Sequence, residues 1–91
     1  MITAYIVSYD LIKPGKNYEK VLAKIKQHNN WARLGGSAYI VISDQSPADI
    51  RNSIATALDT NDKLFVGAIG APAAWTGLTD EVSEWLKKNL K

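Results

Sequence analysis

Ninety-one residues, no cysteine and a formal net charge of +2 set the first bounds on this chain. That length suits one compact domain spanning residues 1–91 and leaves no room for a separate substrate domain. Disulfides, thiol nucleophiles and cysteine-held zinc or iron–sulfur centres are excluded, and a lone histidine, His28, excludes a histidine cluster within one chain. Eleven Lys+Arg against nine Asp+Glu is too even a balance to mark a nucleic-acid binder unless the cations are clustered.

Residues 2–10 alternate, with Thr3, Tyr5, Val7 and Tyr9 on one side and Ile2, Ala4, Ile6 and Ser8 on the other. The period and the β-branched and aromatic content predict a strand. The stretch is short, is interrupted by Tyr5 and Ser8, and lacks a basic n-region, so it does not read as a signal peptide. No run approaches membrane-spanning length, and a cytoplasmic protein with no membrane partner is the expectation. Pro14-Gly15 breaks the strand, Asn17 offers a helix cap, and Val21, Leu22 and Ile25 recur at helical spacing to about Gln27.

Asn29-Asn30 is a turn signal. Residues 31–34, Gly35-Gly36 and residues 37–43 then read as a hairpin, with the glycines supplying the positive φ angles of a tight turn. Ser46-Pro47-Ala48-Asp49 opens a second helix, whose buried stripe is Ile50, Ile54, Ala57 and Leu58. Asn61-Asp62 turns the chain into a strand over residues 63–69. A loop of small residues follows, closing on Trp75-Thr76-Gly77, and a final helix starts near Thr79 with acids at its head and lysines at its tail.

The predicted order is βαββαβ with a C-terminal helix. It defines an α+β protein of ferredoxin-like type, an antiparallel sheet with helices on one face plus the C-terminal helix. Both alternating sets of the first and third strands carry apolar or aromatic residues, so both sheet faces need cover. The second face must pack on the C-terminal helix, on a second subunit, or on both. A homodimer or higher even oligomer is expected.

The strand ending "SYD", the "S-x-Y-x-V" strand after the hairpin and "DKLFVGAIG" resemble the small CRISPR-associated adaptation proteins of ferredoxin-like fold. They are similar also to the VapD-like ribonucleases and to the SinR-like small proteins of bacteria and phages. The similarity runs to about Ile69, and "APAAWTGL" looks most like the SinR-like branch. In the nuclease members an aspartate ending the first strand joins its symmetry mate to hold a divalent metal, and Asp10 is the matching position. The resemblance thus implies a magnesium- or manganese-dependent endonuclease with Asp10 as metal ligand and catalytic residue. It also suggests, by analogy, a phage or bacterial sponge for a (cyclic) nucleotide signal.

The residues themselves leave these options open. A lone carboxylate is a poor site for a hard cation, and aspartates at turns commonly accept backbone N–H groups instead. Lys16, Lys20 and Lys24 share one helix face, read mainly as a solvated face, while Lys13 and Lys16 near a helix start are better placed for phosphate. Trp75, in a loop without periodicity, either stacks on a base or plugs the end of the sheet. Trp31 and Arg33 alternate on the hairpin arm and suit a base with its phosphate, or a dimer contact. The ligand-binding set is therefore Tyr9, Asp10, Lys13, Lys16, Asn17, Trp31, Arg33, Trp75 and Thr76. The expected function is a non-enzymatic, homodimeric nucleotide binder without a cofactor, in a bacterial cell or phage-infected host. The alternatives are the metal-dependent endonuclease acting on nucleic acid, and a pure oligomerisation module.

Overall fold

The computed structural model describes residues 2–12, 18–28 and 30–91. Its order is β1 (Thr3–Asp10), α1 (Tyr18–Lys26), β2 (Asn30–Gly35), β3 (Ala38–Ser43), α2 (Pro47–Ala55), β4 (Lys63–Ile69) and α3 (Asp80–Asn89). The strands form one four-stranded sheet in the order β2-β3-β1-β4, and each neighbouring pair is antiparallel. This α+β arrangement is compatible with a ferredoxin-like fold.

The alternation of β1 decides how the layers assemble. Tyr5, Val7 and Tyr9 share a core with Tyr39 and Val41 of β3, Val21 and Ile25 of α1, and Ile50 and Ile54 of α2. Val7, Val21, Ile25, Val41, Ile50 and Ile54 have no exposed surface, so this face is closed by both helices. The residues between them point the other way. Ala4, Ile40 and Leu86 form a second core, against which Ile42, Ile69, Trp75, Val82, Trp85 and Leu90 pack. The C-terminal helix α3 therefore covers part of the second face, one of the covers expected from the sequence.

Local chemistry fixes the connections. Gly35 and Gly36 have φ of +146° and +48°, and the register shifts between Arg33 and Gly35, so the hairpin turns through a bulge. Ser46 caps α2, its Oγ accepting the Asp49 N–H at 3.1 Å, and Pro47 fills the first turn where no intrahelical partner is needed. Thr79 does the same for α3, accepting the Val82 N–H at 3.2 Å. Asp80 and Glu81 then sit at its positive end, with Lys87 and Lys88 at its negative end. Asn30 is the first residue of β2, not the turn residue expected. Its Oδ1 accepts the Trp85 indole N–H at 2.7 Å and its Nδ2 donates to Asn89 Oδ1 at 3.0 Å, while Asn89 donates back to the Trp85 carbonyl at 2.8 Å. This closed set of hydrogen bonds ties α3 to the edge strand β2. Among the described residues no helix is long and apolar enough to cross a membrane.

Candidate ligand cleft

On the α1/α2 face, beyond the closed core, a cleft of about 420 Å³ lies between α1 and the β2–β3 hairpin. Register explains its wall. Arg33 pairs with Tyr39 and Trp31 with Val41, and cross-strand partners share a face. Tyr39 in turn pairs with Val7, two residues from Tyr9 and so on the same face, which sets all these side chains on the side of α1. From the helix come Tyr18, Leu22 and Lys26, four residues apart and so along one helix face. Gly36 closes the end at the hairpin.

The rings form two pairs. Tyr9 and Tyr18 meet edge to face with centroids 6.1 Å apart, and Trp31 and Tyr39 lie tilted at 6.0 Å. Tyr9 and Tyr39 are only 5% and 4% exposed, so these walls are rigid. Lys26 Nζ stands 5.1 Å from the Trp31 ring centroid, a cation–π contact. The Arg33 guanidinium donates to the Gly36 carbonyl at a long 3.3 Å. Burial pushes the Tyr9 hydroxyl above its ordinary pKa, helped by Tyr39 and Tyr18 and opposed by Arg33, so it stays neutral and able to donate. The described lining carries two cations and no carboxylate. Such a cleft offers π faces for a planar ring and positive charge for an anion.

Tyr9, Trp31 and Arg33 of the expected set are brought together here. Lys13, Lys16 and Asn17 lie outside the described residues. Asp10 is exposed at the end of β1, opposite Lys63, and by strand alternation points away from the side of Tyr9. Just beyond β1 the Asp62 carboxylate accepts the Ile12 N–H at 2.9 Å and also the Asp59 N–H at 2.8 Å. No group of three or more His, Cys, Asp or Glu side chains able to hold a metal occurs among the described residues.

Trp75 and Thr76 are on the opposite sheet face. Trp75 is half-buried against the second core, its indole N–H donating to Ser83 Oγ of α3 at 3.0 Å, and Thr76 is exposed beside it. Both border an apolar hollow of about 320 Å³ between the sheet, α3 and the loop after β4. The plug reading describes this geometry and places Trp75 apart from the cleft. Five lining residues lie outside the expected set: Tyr18, Leu22, Lys26, Gly36 and Tyr39. The four-residue spacing of Tyr18, Leu22 and Lys26 was the available signal, masked by the more conspicuous lysines at 16, 20 and 24. His28, two residues past the end of α1, is half-buried, and burial lowers its imidazole pKa below the usual 6.5.

Comparison of the chain with protein-family models, curated proteins and solved structures returns no match. The geometry of the cleft therefore carries the functional reading.

Proposed function

We propose that the protein is a non-catalytic nucleotide-binding protein and that its ligand occupies the cleft between α1 and the β2–β3 hairpin. The observation that carries this reading is the grouping of four aromatic rings with Lys26 and Arg33 in one hollow whose described lining holds no carboxylate. A base stacked on an aromatic side chain gains about 1–3 kcal/mol, and a guanidinium or ammonium supplies charge-assisted hydrogen bonds to phosphate. On this reading a bound nucleotide is held by ring faces and by Lys26 and Arg33 rather than turned over. Holding without turnover is how a sponge for a nucleotide signal works.

The proposal includes a homodimer. β4 is an edge strand of the sheet, and Phe65 on it is 63% exposed, its ring lying over Gly67 on the half of the second face away from α3. A free antiparallel edge beside an exposed ring is self-complementary about a two-fold axis. Sedimentation over a wide concentration range tests this part: a dimer that Phe65→Ser weakens supports it, and a monomer throughout refutes it. Calorimetric titration with mono-, cyclic di- and oligonucleotides tests the site. Wild type is expected to bind, and Trp31→Ala to bind about one to two powers of ten more weakly. Equal affinity of the two proteins would remove the cleft from the account.

A further inference from the structure

The cleft orders its recognition groups unequally, and the inequality says which part of a nucleotide it reads. Two of its rings are fixed: Tyr9 and Tyr39 are buried and lie on paired strands. Its cations are not. Lys26 and Arg33 are both exposed, and their recorded contacts are a ring face at 5.1 Å and a long hydrogen bond to the Gly36 carbonyl. The ion pair found among the described residues, Lys87 with Glu84, involves neither.

Discrimination comes from side chains held firmly against a base edge, whose donors or acceptors a wrong base leaves unpaired. The described lining holds no Asp, Glu, Asn or Gln, and its fixed-sense donors, Lys26 and Arg33, are the exposed, loosely held groups better suited to a phosphate than to a fixed base edge. A tyrosine hydroxyl both donates and accepts and rotates to suit, so it accepts an amino or a carbonyl edge alike.

We propose that the cleft takes nucleoside phosphates as a class, gripping any base by its faces and the phosphate by Lys26 and Arg33. The inference rests on the nucleotide-binding reading above and goes beyond it in assigning selectivity to the phosphate. Lys26 lies over the Trp31 face; on binding, the base takes that face and the ammonium turns to the anion.

The experiment is a titration of the whole chain with AMP, GMP, CMP and UMP and with the four matching nucleosides, repeated for Lys26→Gln. The monophosphates are expected to agree within about threefold, because stacking is sequence-tolerant. Loss of the phosphate is expected to weaken binding at least about tenfold, a charge-assisted hydrogen bond's worth. Lys26→Gln, a change at an exposed position, is expected to narrow that gap. A preference of more than about tenfold for one base, or nucleosides that bind as well as their monophosphates, would overturn the inference while leaving a nucleotide site in place. A gap unchanged by Lys26→Gln would overturn the role of Lys26. If none of these ligands binds, the nucleotide reading falls together with this inference.

Discussion

The two faces of the sheet are built from the same strands yet end in different chemistry. On one, two helices close completely over Val7, Val41, Ile50 and Ile54, and the tyrosines at the rim leave a polar-tipped aromatic cleft. On the other, one helix and a loop cover only part of the sheet, with aliphatic side chains and two tryptophans as filler, and Phe65 stays exposed. Strand alternation makes this division possible, because every second residue answers to a different layer. The comparison teaches that an aromatic residue's role here follows from the face it occupies. Trp31 and Trp75 are alike in chemistry; one lines the cleft and the other packs on α3.

Substitutions on each face test that division. Ile54 has no exposed surface between α2 and the sheet, so Ile54→Ala is expected to cost about 2–5 kcal/mol in urea unfolding through lost burial and a cavity. A cost below about 1 kcal/mol would mean that the two-helix face is not the main core. Trp75→Ala comes next. The ring is half-buried, so the loss should fall below the ~3–5 kcal/mol of a fully buried tryptophan, while nucleotide affinity stays unchanged. A fall in affinity without a fall in melting temperature would restore Trp75 to the binding site.

A smaller effect comes from His28. Burial depresses its folded-state pKa, so the unfolded chain takes up the proton more readily. Its contribution to stability is fully present above the unfolded value of 6.5 and is lost as pH falls below that toward the folded pKa. Unfolding midpoints measured from pH 7.5 down to 5 should decline, and His28→Gln should flatten the decline. A rise in stability on acidification would contradict the burial of the imidazole. The smallest effect is assigned to Asp10→Asn. Asp10 is exposed and off the cleft, so stability should move by no more than about 0.5 kcal/mol and nucleotide affinity should not change. Magnesium-dependent cleavage of RNA or DNA by wild type, abolished by this substitution, would replace the binding account with the endonuclease one.

Most of the fold was legible because it rests on local rules. The alternation of residues 2–10, the Gly35-Gly36 turn, the Ser46-Pro47 start of α2 and the Thr79 start of α3 each announce themselves within a few residues. The double apolar pattern of β1 and β3 also told that two layers must pack on the sheet. The site was half legible. Tyr9, Trp31 and Arg33 lie on strands, whose period of two states their face directly. Lys26 was legible only in part: its spacing from Tyr18 and Leu22 sets their common helix face, but its position over Trp31 depends on how α1 crosses the sheet. The same limit applies to Trp75, which lies in a loop where only the Ser83 hydrogen bond and the neighbouring core reveal its role. Asn30 reads as a turn former alone, and its task of holding Trp85 and Asn89 requires α3 to lie beside β2.

The central claim, that the aromatic cleft is the nucleotide site, is tested most directly by the three tryptophan indole N–H signals in a nitrogen–proton correlation spectrum during titration with AMP. Trp31 lines the cleft, whereas the Trp75 and Trp85 indoles donate to Ser83 and Asn30 on the far side of the sheet. The account predicts that the Trp31 signal moves with AMP concentration to saturation while the other two stay in place. A saturating shift of Trp75 or Trp85 with Trp31 unmoved would contradict it.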